Sequence, residues 1–310
     1  MTTSLSRRSF LALSALLPTA FFGQKNTPNS GAMTNTPKKK PAIPVGLELY
    51  SVRDDLKRDP QGTVRAVGQM GYAGVEFYGP YYAWTHQDAK DMRKLLDELG
   101  IRCFSTHNDH ENLQPAKIEH ARDLNLILGS SYIVQASSPK IDSLDGWKKV
   151  ADNLNVAAER LAKDDLKVGY HNHQPEFTPL DGKRPIEILA ANTKPTVMLQ
   201  LDVGTCLEAG SEPAEWIRAN PGRIRSLHLK DWSPDPEKGY KVLFGEGAAE
   251  WLDIFAAAES AGGAEYYLIE QEGSRYPALE TVKKCLESYH TLRGDVKRAE
   301  NGPITGFSSE

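Results

Sequence analysis

Short apolar runs alternate with longer amphipathic stretches along the chain from residue 45 onward. The runs are four to six residues long and rich in Val, Ile, Leu, Tyr and Phe, which is typical of strands buried on both faces. They lie at residues 46–50, 74–77, 102–105, 132–135, 167–171, 197–201, 224–229 and 266–270. The pattern therefore predicts eight buried strands.

The stretches between these runs have apolar residues three and four positions apart, which predicts helices. Residues 88–99, for example, carry Met92, Leu95 and Leu99, and Gly100 follows as a typical helix C-cap. The other predicted helices lie at residues 62–70, 116–128, 144–162, 185–191, 212–219, 250–261 and 278–292. Eight strands alternating with eight helices predict the α/β class and a (β/α)8 TIM barrel. A doubly wound sheet is the alternative, but no glycine-rich dinucleotide fingerprint follows the first strand.

The first 44 residues do not share this alternation. A basic start precedes an apolar run that ends at residue 22 and is too short to span about 30 Å of hydrocarbon. Arg7 and Arg8, followed by Phe10 and Leu11, resemble a twin-arginine export signal. The predicted segments are a signal peptide (1–23), a disordered linker (24–44) and the barrel domain (45–310). We expect a periplasmic or exported protein without a stable membrane span, with anchoring by an uncleaved signal as the alternative.

Composition excludes several classes of function. Hydrophobic residues make up 40% and charged residues 25% of the 310 residues, which is ordinary for a globular protein and excludes wholesale disorder. The chain has 37 Lys+Arg against 41 Asp+Glu, a net charge of −4, so a nucleic-acid partner is not expected. Cys103, Cys206 and Cys285 lie far apart without a CxxC pair and are interpreted as small buried hydrophobes.

Polar side chains follow the predicted strands at their carboxyl ends, where TIM barrels carry their working residues. These residues are Tyr50, Glu76, His107, His171, His173, Glu176, Asp202, His228, Lys230 and Glu270. A single buried His or Asp is more often a satisfied hydrogen-bonding group than a ligand. Burying so many carboxylates and imidazoles at one mouth without a shared partner would be costly, however. Oxygen and imidazole donors suit one divalent metal ion, Mn²⁺, Mg²⁺, Co²⁺ or Zn²⁺.

The motifs at these strand ends resemble those of the sugar phosphate isomerase/epimerase family of xylose isomerase-like TIM barrels. That family includes epimerase-like, hydroxypyruvate isomerase-like and inosose dehydratase-like enzymes. The distinctive segments are Tyr-His-Asn-His-x-x-Glu-Phe at residues 170–177 and His-Leu-Lys-Asp at residues 228–231. The resemblance extends over nearly the whole chain after residue 45.

The resemblance implies a metal site formed by Glu, Asp, His and Glu from strands five to eight. Asp202, His228 and Glu270 match the last three of these ligands. Strand five ends in His171 where many relatives have Glu, so Glu176 from the following loop is the preferred fourth ligand. His171 remains the fallback ligand or a substrate contact.

The implied chemistry is removal of a C–H proton next to a carbonyl that the cation polarises, which gives an enediolate. Glu176 and Glu270 are the candidate proton-handling carboxylates, and His107 and His171 are candidate proton relays. The expected substrate contacts are His173, Lys230, Glu76, Tyr50 and Glu246. Glu246 lies on the loop after strand seven.

Several functions share this set of residues. The leading hypothesis is an isomerase or epimerase acting on a sugar or sugar acid. A lyase or dehydratase acting on a keto-sugar or inosose would use the same site, and a non-catalytic sugar-binding barrel is a third possibility. An endonuclease IV-like function would need a basic groove that the charge balance does not support. The expected partner is a free sugar, and a homo-oligomer stays open.

Overall fold

The computed structural model describes residues 42–294. The predicted signal peptide (1–23) and all but the last three residues of the predicted linker (24–44) lie outside the described residues. No helix in residues 42–294 is both long and apolar enough to cross a membrane. Cys103, Cys206 and Cys285 are buried free thiols, as predicted.

Eight parallel strands close into a barrel in which each strand pairs with its neighbours in the sequence, and the last pairs with the first. The strands are β1 (Val45–Glu48), β2 (Gly74–Phe77), β3 (Arg102–Asp109), β4 (Tyr132–Ser137), β5 (Lys167–His171), β6 (Met198–Asp202), β7 (Ser226–Leu229) and β8 (Tyr266–Ile269). The predicted TIM barrel is confirmed, with each strand within a few residues of its predicted position.

The helices surround the barrel, and all eight predicted helices are present within the described residues. The helices are α1 (Arg53–Arg58), α2 (Pro60–Met70), α3 (His86–Leu99), α4 (Ile118–Leu128), α5 (Leu144–Leu161), α6 (Gln174–Phe177), α7 (Pro185–Asn192), α8 (Val203–Glu208), α9 (Pro213–Ala219), α10 (Trp251–Ala257) and α11 (Ala278–Arg293). The short helices α1, α6 and α8 were not predicted. All three follow the carboxyl end of a strand and are too short to show a helical hydrophobic period.

The lower half of the barrel interior is apolar. Its side chains form a separate buried cluster that consists of Phe104, Tyr132, Val134, Met198, Tyr266 and Leu268. The Phe104 ring lies so close to β1 and β2 that only glycine fits beside it. A Cβ atom at Gly46 or Gly74 would come within 2.8 Å or 2.7 Å of that ring. This apolar floor fills the barrel beneath the candidate site.

The upper half of the interior is polar because the inward-facing positions near the strand ends carry charged and amide side chains. These side chains are Glu48, Glu76, His107, His171, Gln200, Asp202, His228 and Lys230, all of them buried. Successive residues of a strand point to opposite faces, so Gln200 and Asp202 of β6 both face inward. The alternation in each strand therefore places the polar residues above the apolar floor.

Candidate active site

A cavity of about 220 Å³ opens at the carboxyl ends of the strands, directly above this polar half. Its lining includes Glu48, Tyr50, Tyr78, His107, His171, His173, Glu270 and Glu272. Residues in or directly after β1, β2, β3, β5 and β8 therefore meet at one opening, as expected for the working face of a TIM barrel.

Glu76 lies at the centre of the polar cluster and is fully buried. Its Oε1 accepts hydrogen bonds from Nε2 of His228 at 2.7 Å and lies 2.9 Å from Nε2 of His107. Its Oε2 accepts from the hydroxyl of Ser105 and, at 3.0 Å, from the amide of Gln200. Burial alone would raise the pKa of Glu76, but the charges of His107 and His228 hold that pKa well below its usual range. Glu76 is therefore an anion that orders its neighbours, and its oxygens are already occupied.

Gln200 connects the two halves of the cluster and was not among the residues predicted from the sequence. Its amide nitrogen donates to Glu76 and, at 3.3 Å, to the hydroxyl of Ser226. Its carbonyl oxygen accordingly faces two imidazoles, Nε2 of His107 at 2.7 Å and Nδ1 of His171 at 3.1 Å. The anionic Glu76 fixes the orientation of this amide, because the reverse orientation would place two oxygens against each other.

The contact with Gln200 decides which nitrogen of His171 carries a proton. Nδ1 must donate to the amide oxygen, so the lone pair of the neutral ring lies on Nε2. Burial, together with the positive charges of neighbouring His228 and His107, lowers the pKa of His171 well below its usual range. The lone pair on Nε2 faces Oδ2 of Asp202, 3.8 Å away.

Asp202 presents an oxygen that has no hydrogen-bond donor. Its Oδ1 accepts from the backbone N–H of Thr205 at 2.9 Å and caps α8. Its Oδ2 is buried without a hydrogen bond, although the ammonium of Lys230 lies 3.4 Å away. Two acceptor atoms that face each other with no proton between them are the arrangement expected at a cation site.

A group of three residues fits a divalent cation at this position. His171, Asp202 and Glu270 each offer one ligand atom, and these atoms all lie within 4.8 Å of one another. The free Nε2 of His171 and Oδ2 of Asp202, which has no hydrogen bond, support the fit, since an imidazole and two carboxylates suit Mn²⁺ or Zn²⁺. The predicted ligands Asp202 and Glu270 are thus brought together, with His171 as the third member.

His228 lies between two carboxylates. Its Nδ1 donates to Oε2 of Glu270 at 2.5 Å and its Nε2 donates to Glu76. Burial would lower the pKa of His228, but the two carboxylates raise it to about 10. Its predicted role as a metal ligand remains a prediction, because both of its nitrogens are bonded to carboxylates here.

Lys230 lies on the same side of β7 as His228, as the alternation of strand side chains predicts. Its ammonium contacts the carboxylates of Glu272, Asp202 and Glu270, with distances of 3.4 Å to Asp202 and 3.5 Å to Glu270. Burial opposes its charge, yet these carboxylates raise the pKa of Lys230 well above its usual range. Together with His228, Lys230 lowers the pKa of buried Glu270 from its usual value. Glu270 is therefore ionised at neutral pH.

Glu176, the preferred ligand of strand five, is not brought to the other ligands. It lies in α6, where Oε1 accepts from the hydroxyl of Tyr170 at 2.7 Å and Oε2 accepts from the backbone N–H of His173 at 2.8 Å. Tyr170 faces away from the barrel interior and packs against Trp147 of α5. The structure thus places the fallback residue, His171, where the resemblance implied a glutamate.

Glu246, predicted as a substrate contact, lies outside the cavity. Its carboxylate pairs with Arg275 at 2.6 Å and accepts from the backbone N–H of Leu243 at 3.1 Å. These contacts order the loop that precedes α10.

The rim of the cavity carries Tyr50 and His173. The ring of Tyr50 is 37% exposed and meets that of Tyr78 edge-on at 5.4 Å. The imidazole of His173 is exposed and lies 4.9 Å from that of His171. Both are positioned to contact a molecule in the cavity.

We expect Gln200→Met to lower the free energy of unfolding by about 2–4 kcal/mol, because each buried polar group left without a partner costs about 1–3 kcal/mol. The substitution removes the partner of two imidazole N–H groups and of one oxygen of Glu76. Urea unfolding measures the loss. Gln87→Met on the exposed face of α3 is the matched control and should unfold like the wild type.

Comparisons with protein families, with curated proteins and with solved structures all match this chain to xylose isomerase-like barrels or to enzymes that act on sugars and inososes. A family model described as "Xylose isomerase-like TIM barrel" matches residues 64–291. An inosose dehydratase from Clostridium botulinum is 24% identical over 280 residues, which cover 77% of this chain and 92% of that protein. The crystal structure of a sugar phosphate isomerase/epimerase from Parabacteroides distasonis has 27% identity and a TM-score of 0.70, covering 85% of this chain and 99% of that chain.

A further solved structure shares the fold at lower identity. The IolI protein, solved with a bound zinc atom, has 17% identity and a TM-score of 0.65. The superposition covers 83% of this chain and all of that one. At this identity the likeness shows the barrel alone.

Proposed function

The chain belongs to the xylose isomerase-like TIM barrel family, and we propose that it is a metal-dependent lyase or dehydratase. The substrate class is a keto sugar or an inosose, from which the enzyme removes a proton beside the carbonyl and then a β-substituent. The observation that carries the proposal is the position of Glu176, which is bonded to Tyr170 outside the cavity. The relatives named inosose dehydratase support the same reaction class.

The position of Glu176 matters because the two reactions need different proton carriers. Epimerisation takes a proton from one face of a carbon and returns one to the other face, a task suited to two opposed carboxylates. Elimination needs one base and an acid for the leaving oxygen. Glu270 is the carboxylate of the proposed metal group that lines the cavity, where it lies with Glu48, Glu272 and the imidazoles of His107, His171 and His173. This set suits elimination better.

We assign the cation to His171, Asp202 and Glu270, the group that contains the unpartnered Oδ2 of Asp202. When bound there, a divalent cation would polarise the substrate carbonyl.

Three side chains would handle the charge and the protons. The ionised carboxylate of Glu270 takes the proton from the carbon beside the carbonyl, and the electron pair of that C–H bond moves towards the carbonyl oxygen. The ammonium of Lys230, 3.5 Å from Glu270, holds the negative charge on that oxygen. His173 at the rim then donates a proton to the leaving oxygen as the carbon–oxygen bond breaks and the double bond forms. The substituent departs as water or an alcohol.

Isomerisation is the second candidate, favoured by the 27% identity to the Parabacteroides distasonis isomerase/epimerase. The imidazole of His107, which also lines the cavity, would then serve as the second proton carrier.

Proton NMR separates these reactions. The Mn²⁺-loaded enzyme acts on the substrate in D₂O, and the metal is removed before the spectrum of the products is recorded. With an inosose or a keto sugar, we expect a product that has lost water or an alcohol and carries a new vinylic or enol carbon. Deuterium on a carbon of a sugar that keeps all its substituents would identify an isomerase instead. Sugar binding without any C–H exchange would show that the barrel only binds its ligand.

A further inference from the structure

We propose that the ammonium of Lys230 takes the place of the cation in the metal-free protein, so that a metal ion has to displace it in order to bind. The inference rests on the cation that the proposed function assigns to His171, Asp202 and Glu270. It adds a residue that controls how tightly this cation is held. Lys230 is not itself a ligand, because an ammonium group has no lone pair.

The ammonium lies beside two of the three proposed ligands. Its Nζ is 3.4 Å from Oδ2 of Asp202 and 3.5 Å from Oε1 of Glu270. Oδ2 of Asp202 has no hydrogen bond, so the ammonium balances the charge of this oxygen without bonding to it. The side chain of Lys230 is only 4% exposed, and a buried charge is stable only where opposite charges surround it. The two carboxylates therefore have Lys230 as their counter-ion while no metal is bound.

A metal ion and the ammonium cannot both keep these positions at low cost. A metal–oxygen bond is about 2.1 Å long, so a cation bound to Oδ2 of Asp202 would lie at most about 5.5 Å from an unmoved Nζ. Positive charges at that distance repel each other, and the repulsion is stronger where water is excluded. Binding of the cation should therefore drive the ammonium away from Asp202 and Glu270.

Other contacts hold the ammonium once it has left these two carboxylates. Nζ also contacts the carboxylate of Glu272, which lines the cavity and is not a member of the metal group. It lies 4.8 Å from the centre of the Tyr240 ring, which is a cation–π contact. The stem of Lys230 packs against Gly204, where a Cβ atom would come within 3.3 Å of Cγ of the lysine. Only the end of the side chain therefore has to turn, and at Glu272 its charge still faces the cavity.

Calorimetric titration of the metal-free protein with Mn²⁺ tests the proposal. Lys230→Met removes the competing charge and should bind Mn²⁺ about tenfold more tightly than the wild type. Even in water, the repulsion between a divalent and a monovalent charge about 5.5 Å apart corresponds to about tenfold in affinity. Lys230→Arg keeps the charge and should show no such gain. Lys238→Met is the matched control and should bind like the wild type, because Lys238 is exposed and pairs with Asp235 at the surface.

Glu272→Gln should change the affinity in the opposite direction. Without the carboxylate of Glu272, the ammonium stays with Asp202 and Glu270, so Mn²⁺ should bind more weakly than in the wild type. In the Lys230→Met background the same substitution should have a smaller effect, since no ammonium is left to move. An equal loss in both backgrounds would show that Glu272 acts on the cation directly and does not receive the ammonium. Lys230→Gln replaces Lys230→Met in both experiments should that variant fail to fold.

Other results would overturn the competition itself. Equal or weaker binding of Mn²⁺ in Lys230→Met, with binding still weakened in Asp202→Asn, would mean that Lys230 does not compete with the cation, and the proposed function would stand. No bound Mn²⁺ in either the wild type or Lys230→Met would overturn the proposed function as well.

Discussion

Asp202→Asn should lower the affinity of the protein for Mn²⁺ by at least about 100-fold, because even residues that only support a metal ligand contribute 10–100-fold. The amide retains an oxygen for the backbone N–H of Thr205, so the cap of α8 survives. It replaces the unpartnered Oδ2 with a neutral group and removes one charge from the site. We therefore expect a folded barrel that retains less metal and has lost turnover of any substrate found by NMR.

Metal content after dialysis, measured by elemental analysis, and circular dichroism check this prediction together. Asp253→Asn is the matched control, since Asp253 lies exposed on α10 and pairs with Arg218 at the surface. It should bind metal and turn over like the wild type. Full activity and normal metal content in Asp202→Asn would show that Asp202 is not a ligand.

Asp231→Asn should cause the largest loss of stability outside the cavity, at least about 2 kcal/mol, since each buried N–H left without an acceptor costs about 1–3 kcal/mol. The Asp231 carboxylate follows β7 and faces away from Lys230. It accepts five hydrogen bonds, and the donors are the backbone N–H groups of Trp232, Gly245, Gly247 and Ala249 and the indole of Trp251. An amide offers one oxygen, so at least two donors lose their acceptor.

Thermal unfolding measures this effect. A loss of about 2 kcal/mol lowers the melting temperature of a domain of this size by about 4–8 °C. Glu246→Gln is the control on the same loop, because the amide keeps an oxygen for the backbone N–H of Leu243 and removes only the charge of the exposed pair with Arg275. Such exposed pairs contribute at most about 1 kcal/mol. Equal melting temperatures for Asp231→Asn and the wild type would show that the loop does not depend on this carboxylate.

The hydrophobic pattern was sufficient to predict the barrel. A strand buried on both faces appears in the sequence as a continuous apolar run, and all eight predicted runs are strands in the structure. The ends of the strands were less certain, because β3 continues through polar residues to Asp109 and was predicted to stop at residue 105. Of those polar residues, His107, Asn108 and Asp109 line the cavity, which the hydrophobic period cannot reveal.

The candidate site shows a second limit. Strand alternation predicted that Lys230 would share a face with His228, since that rule depends only on the backbone period. The position of Glu176 depends instead on the path of a loop, and the short helix α6 turns its carboxylate towards Tyr170. Gln200 offered no signal beyond its position two residues before Asp202. The role of this neutral amide in orienting its neighbours becomes visible only from its four hydrogen bonds, to Glu76, His107, His171 and Ser226.

The apolar floor also decides how a molecule can reach the cavity. It consists of Phe104, Tyr132, Val134, Met198, Tyr266 and Leu268. Because these side chains close the barrel from below, a molecule enters and leaves the cavity through the same opening at the carboxyl ends of the strands. A molecule bound in the cavity must therefore leave through that opening before another can enter.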